Sequence, residues 1–356
     1  MLKLENLNYA SPATVIFQRL TVMMTESILF LAAWRFAKHS NRHVLIQLAL
    51  IFLNPGLMIV DNIHFQYNGF LYGLLVFSID SILEGNVLIG AAAFTIMLNM
   101  KHIFLYIAPA YFVYLLRQYC FTQQGSFSIQ RFISLGMVVL SVFMVSFGPF
   151  YDQLPQILSR LFPFKRGLCH AYWAPNFWAL YAFADRVLVR VAKLLGLLWI
   201  KELPTLTRGL VGDVSFGVLP NITPLHTLIA TVLSQVPSII RVWQSPTPDE
   251  FIHSITMCAF GSFMFGWHVH EKAILLGIVP FSLIATKSEK HARLFYLLSI
   301  AGSFSLFPLL FKAAEGPIKL CLLALFAMLG YHALGRYTSA FCCISFMCRH
   351  NSATSS

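Results

Sequence analysis

Charge is scarce in this 356-residue chain: Asp, Glu, Lys and Arg together make up 11% of it, against about 25% in soluble domains. So few charges cannot cover a water-exposed globular surface, which excludes a soluble fold. Regular alternation of apolar and polar residues is also missing, and that excludes a transmembrane β-barrel. Cysteine is unpatterned. Cys120, Cys169, Cys258, Cys321, Cys342, Cys343 and Cys348 show neither metal-ligand spacing nor a disulfide framework, and most read as small hydrophobes in apolar segments. The sequence lacks a Walker loop, a Gly-rich nucleotide turn and a Ser-His-Asp order, which argues against nucleotide-driven chemistry. Met1 to Arg19 is mixed in polarity and holds no apolar signal-peptide core.

What is present is apolar length. Apolar stretches run approximately over 20–34, 43–60, 68–83, 86–99, 102–116, 132–150, 225–242, 251–267, 271–286, 294–311 and 317–335. At roughly 20 residues per crossing they allow about eight to ten spanning helices, so the expected fold is an all-α polytopic membrane protein. Pro55, Pro109 and Pro308 interrupt three of the stretches, as membranes tolerate where neighbouring helices or a polar cavity satisfy the freed backbone. The expected organisation is one transmembrane domain over 1–337 with a long loop at about 151–224. The patternless Ser/Thr/Asn tail at 338–356 is expected to be disordered.

The formal net charge of +11 does not mark a nucleic-acid binder, because the basic residues are scattered singly between apolar runs. They read instead as topology determinants, a few of them as holders of lipid phosphates. One set of short connections carries Arg35, Lys38, Arg42, Arg117, Arg131, Arg241, Lys287, Lys290 and Arg293; the other carries only Lys101, Lys272, Lys312 and Lys319. The richer set should be cytosolic. That places the polar strings described next, and the 151–224 loop, together on the opposite face. The apolar piece 187–200, with Arg190 and Lys193 inside it and Arg186 beside it, must then lie along the interface as an amphipathic helix. Asn221-Ile222-Thr223 is a glycosylation sequon on that face, followed by Pro224.

Four polar strings stand out. Asp61-Asn62-Ile63-His64-Phe65-Gln66-Tyr67-Asn68 gathers a carboxylate, an imidazole, amides and a phenol. Such a set suits sugar hydroxyls, with His64, Gln66, Tyr67 and Asn68 as glycan-binding candidates, or it forms a polar plug between helices. Lys101-His102 offers cations at a break between spans, for a phosphate or for snorkelling to the interface. Lys165-Arg166 and Tyr172-Trp173 mix cations with aromatics, fitting an anionic lipid headgroup, or a sugar stacked on Tyr172, Trp173 or Trp178, or an interfacial anchor without specific ligands. Trp267-His268-Val269-His270-Glu271-Lys272 offers His268, His270 and Lys272 to a phosphate, with Glu271 orienting an imidazole or pairing with Lys272. Its His-x-His-Glu core lacks a partner ligand at metal spacing, so no metal is expected.

These strings, together with Gly167-Leu168-Cys169-His170-Ala171-Tyr172-Trp173-Ala174-Pro175-Asn176-Phe177-Trp178, resemble the dolichyl-phosphate-glucose-dependent α-1,3-glucosyltransferases of the endoplasmic reticulum, over about Asn6 to Pro317. Gly69-Phe70-Leu71 and the Cys169–Trp173 run look more like the members that add the second glucose than those that add the first. The resemblance implies a membrane-embedded glycosyltransferase fold of the GT-C type, with its site facing the lumen and no cofactor. The implied donor is dolichyl phosphate glucose and the implied acceptor a monoglucosylated high-mannose glycan on dolichyl pyrophosphate. By match to the family's motif, His268, His270 and Lys272 lead the donor-phosphate candidates, followed by Lys101, Lys165 and Arg166. The family's catalytic carboxylate lies in a first luminal loop that precedes the part matched here, so no residue inherits that role. Asp61 and Glu271 are the substitutes the strings offer. The expectation is therefore a chain truncated at both ends, whose alternative function is lipid or glycan binding without turnover.

Overall fold

The computed structural model describes residues 9, 11–40, 43–122, 124–161, 167–169, 174–196 and 216–335. The tail beyond 335 and, within the long loop, residues 162–166, 170–173 and 197–215 lie outside the described residues. Every one of the eleven apolar stretches forms helix. In chain order these are α1 (Pro12–His39), α2 (Val44–Phe52), α3 (Pro55–Leu57) running into a π-helical turn (Met58–Ile63), α4 (Asn68–Leu83) and α5 (Val87–Met100). A 3₁₀ turn (His102–Ile107) opens α6 (Ala108–Leu115), which ends in a second π-turn. Then come α7 (Ile129–Phe147), α8 (Leu154–Leu161), α9 (Phe177–Leu194), α10 (Pro224–Gln244) and α11 (Pro248–Phe265). The series closes with a 3₁₀ turn (Glu271–Ile274), α12 (Leu275–Ser282), α13 (Glu289–Ser305) and α14 (Gly316–Gly335).

Proline and its caps set the breaks. Asn54 accepts the Gly56 amide at 3.0 Å, starting α3 afresh, and the chain bends there by 42°. Among the described residues, five helices are long and apolar enough to cross a membrane, or six if the bent pair Val44–Phe52 and Pro55–Ile63 is one span. That is fewer than the apolar stretches imply. The reason is length: α4 and α5 have 16 and 14 residues, about 24 and 21 Å at 1.5 Å per residue, against a hydrocarbon core of about 30 Å.

These short helices are buried in the bundle. Twelve of the sixteen α4 residues are buried, because glycines let its neighbours approach closely. A Cβ on Gly73 would stand 2.7 Å from the Leu29 backbone nitrogen of α1, and one on Gly90 of α5 would stand 2.7 Å from the Ser78 carbonyl of α4. Ser78 closes the second contact by donating to the Gly90 carbonyl at 2.6 Å. Stacked Phe94–Tyr111 and Tyr114–Phe251 rings, 3.8 and 4.1 Å apart, join α5, α6 and α11. In contrast, no residue of α7 is buried.

The two ends of the bundle differ in chemistry. At one end lie ion pairs: Arg35 to Asp80 at 2.9 Å, Arg241 to Glu250 at 2.8 Å and Lys287 to Asp249 at 2.8 Å. His39 joins Asp80 at 3.1 Å and Glu84 at 3.8 Å there. The helix ends carrying the polar strings point the other way. The piece expected to lie along the interface belongs to α9, whose buried side Trp178, Ala182, Asp185, Val189 and Ala192 follows helical spacing. Its outer face carries Arg190, Lys193 and apolar side chains, and residues 197–200 lie outside the described residues.

Candidate functional site

The site is built on the turn between α3 and α4. Asp61 sits in the π-helical turn and is 1% exposed. Its carboxylate accepts from Asn68 Nδ2 at 2.7 Å and from the Gly69 amide. Glycine suits position 69, since a Cβ there would meet Asp61 Oδ2 and Glu26 Cγ, each at 3.3 Å. Asn68 donates again to Gln66 Oε1 at 3.1 Å, which turns its carbonyl oxygen toward Lys101; the ammonium donates to it at 2.5 Å. Lys101 follows α5 in an extended conformation. Burial holds its pKa below the usual lysine range; Asp61 opposes that shift and Lys272 adds to it.

The Trp267–Lys272 string follows the end of α11. His268 adopts a left-handed backbone, φ +52°, and folds onto the long loop. Its amide donates to the Leu168 carbonyl at 3.0 Å and its Nδ1–H to the Gly167 carbonyl at 2.7 Å. The His268 and His270 rings stand 5.9 Å apart, edge to face. His270 is exposed, Lys272 half-buried and Glu271 buried. The loop is fastened again by α9: Asn176 donates to the Phe263 carbonyl at 3.3 Å and Trp178 to the Phe265 carbonyl at 3.0 Å. Further along α9, the Asp185 carboxylate, fully buried, accepts the amides of Gly217, Val218 and Leu219 at 3.0, 2.9 and 2.8 Å.

The structure thus brings Asp61, Asn68 and Lys101 into contact, with Lys272 within electrostatic reach. It places His268, His270 and Glu271 on the same stretch as Lys272. The glycan candidates divide. Tyr67 is 45% exposed, its hydroxyl 2.9 Å from that of Thr21. Gln66 and Asn68 bond each other, and His64 donates through Nε2 to the Leu309 carbonyl at 2.9 Å. Lys165, Arg166, Tyr172 and Trp173 lie outside the described residues.

Two residues of α1 join the site without having been singled out from the sequence. Glu26 accepts from Asn62 at 3.2 Å, and the Arg19 guanidinium lies 5.4 Å from the centre of the Phe65 ring. Glu26 carried a signal, being the sole carboxylate of a 28-residue helix otherwise apolar enough to span. Such residues face polar cavities or partners. Beside Lys101, a groove of about 600 Å³ opens between the ends of α5 and α7. Asn99 and His102 stand among its lining, with Leu98, Phe143, Phe147 and Tyr151 supplying apolar walls.

A bundle of membrane-crossing helices with carboxylate, amide and ammonium groups converging at one end defines a membrane-embedded protein with a polar site at the helix termini. Residues 1–353 match the model of the ALG6, ALG8 glycosyltransferase family. The chain belongs to that family. It is 49% identical over 350 residues to the dolichyl pyrophosphate Glc1Man9GlcNAc2 alpha-1,3-glucosyltransferase of Gibberella zeae, covering 96% of this chain and 70% of the relative. It is 49% identical over 328 residues to the protein of that name from Schizosaccharomyces pombe, covering 90% and 66%. The Mus musculus protein of the same name is 46% identical over 357 residues, covering 94% and 68%. The chain spans about two thirds of the length of these relatives.

Proposed function

We propose that this protein acts in transfer of glucose from dolichyl phosphate glucose to a monoglucosylated high-mannose glycan on dolichyl pyrophosphate, forming an α-1,3 linkage at the luminal face of the endoplasmic reticulum membrane. The observation that carries the reading is the convergence of Lys101, Asn68 and Asp61, within reach of Lys272, at the end of the bundle away from most of the basic residues. Relatives named for this glucosyltransferase support the substrate assignment.

In this reaction the acceptor's 3-hydroxyl oxygen attacks the anomeric carbon of glucose, and the bond from that carbon to the phosphate oxygen breaks with inversion. The hydroxyl proton passes to a carboxylate base. The bonding electron pair leaves with dolichyl phosphate, whose growing charge needs cations held nearby in a water-poor site. Lys101, Lys272, His268 and His270 are the described residues suited to that role. Tyr67, whose exposure at the rim supports the reading, is the residue assigned to meet the glycan. The apolar groove beside Lys101 has the character needed to seat isoprene units of a lipid whose phosphate reaches the ammonium.

The test is glucose transfer in microsomes that lack the endogenous enzyme, express this chain and receive radiolabelled dolichyl phosphate glucose. A diglucosylated lipid-linked glycan is the expected product. A stably inserted chain that gives none would overturn the transfer reading and leave binding without turnover.

A further inference from the structure

The three residues Asp61, Asn68 and Lys101 form a chain of contacts with a direction. Both Asp61 oxygens are already engaged, one by Asn68 and one by the Gly69 amide. At 1% exposure this carboxylate does not present itself to a substrate hydroxyl. The Asn68 amide group donates to two oxygens, those of Asp61 and Gln66, at 2.7 and 3.1 Å. With its nitrogen committed in this way, the amide has one orientation, and its oxygen must face the Lys101 ammonium. A lysine ammonium on a flexible four-carbon stem otherwise has no preferred direction.

We infer that Asp61 and Asn68 are positioning residues, which aim the Lys101 ammonium at the phosphate of a polyprenyl phosphate. The inference rests on the phosphate-binding role proposed for Lys101 and adds what sets that role up. Asp61 acts on Lys101 in two ways. It fixes the amide that holds the ammonium, and its negative charge opposes the lowering of the Lys101 pKa that burial and the neighbouring Lys272 cause. The other charged and titratable groups of this neighbourhood are His102 beside Lys101, Glu26 of α1 facing Asp61, and Tyr72 of α4 in the field of Asp61. Asp61 supplies the carboxylate nearest to Lys101 through the bonded path, so removing its charge should be felt at Lys101 above the others.

The experiment measures binding of farnesyl phosphate to the full chain in nanodiscs, with farnesol as the uncharged control. Lys101→Met should weaken farnesyl phosphate binding about tenfold or more, the loss expected for a charge-assisted hydrogen bond, while farnesol binding holds. Asn68→Ala should weaken it to a similar degree. The double variant should be no weaker than Lys101→Met alone, because a positioning residue has nothing left to position. Asp61→Asn, which keeps the side chain's shape, should move the alkaline loss of farnesyl phosphate binding to lower pH. Retained farnesol binding marks a folded variant, and the near-isosteric Asp61→Asn gives its own readout where Asn68→Ala fails to fold. Unchanged binding in Lys101→Met would overturn the phosphate role itself. A loss in Lys101→Met with additive losses from Asn68→Ala, or an unmoved pH limb in Asp61→Asn, would overturn the positioning role alone.

Discussion

Phe65 and His268 share a backbone conformation that side chains other than glycine rarely adopt: φ is +54° at the first and +52° at the second. Among the described residues they are the two non-glycine positions with positive φ, and each lies inside one of the polar strings. A left-handed backbone at a bulky residue persists where surrounding contacts hold it, and such positions cluster at functional sites. At His268 the contacts are two hydrogen bonds to the long loop. At Phe65 the ring lies under Arg19, while His64 on one side is bonded to Leu309.

The strain at His268 can be read by substitution. His268→Gly removes the imidazole but relieves the backbone; His268→Val removes the imidazole and adds a β-branched side chain that tolerates positive φ poorly. The valine variant should be less stable than the glycine variant by about 1–3 kcal/mol, measured by thermal unfolding of the purified protein in detergent. Equal stabilities would mean that no strain is held there.

Asp185 should be among the costliest polar positions to replace. Its buried carboxylate accepts three successive backbone amides, and hydrogen bonds to a charged group are worth about 1.5–3 kcal/mol each. Asp185→Ala should lose at least about 3 kcal/mol and expose 216–219 to limited proteolysis. Asp185→Asn keeps the oxygen that serves Val218 and Leu219, so it should lose distinctly less. Identical proteolysis of both variants and the parent would refute the clamp.

Cys169 should be a slow thiol. Burial pushes its pKa up to about 11, because a low-dielectric surrounding disfavours the thiolate. At pH 8 it should react with a maleimide on the order of a hundredfold more slowly than a thiol of ordinary pKa about 8.5, and the rate should climb about tenfold per pH unit through pH 9 and 10. The measurement follows labelling of a variant in which the other six cysteines are serine. Rapid, pH-independent labelling at neutral pH would show that the thiolate is not disfavoured.

Much of this architecture is written locally. Continuous apolar runs become helices, and proline or Asn-Pro marks their breaks, because those signals act over a few residues. The nearness of Lys101 and Lys272 to the Asp61–Asn68 string was also legible, since alternating direction through successive helices assigns faces without any tertiary information. What local reading misses is distance in sequence. His64 finds its acceptor at Leu309 and Glu26 meets Asn62 across two helices, so neither partnership leaves a mark in the string that contains it. The number of full-length crossings was hidden for another reason. Composition reports that a segment is apolar, whereas α4 is short and sheltered by α1 and α5, a matter of packing that hydropathy does not encode.

The close approach at Gly73 reaches further than the packing of two helices. With the Leu29 backbone against that glycine, α1 has no room to slide or rotate along α4. Glu26 therefore stays level with Gly69 and Asn62, one helical turn away. Helix α1 thus behaves as a ruler laid against the polar turn, and a single methyl group added at Gly73 would shift every mark on it. A change at that buried, chemically silent position would be felt a helical turn away, as a displaced Glu26 and a loosened bond to Asn62.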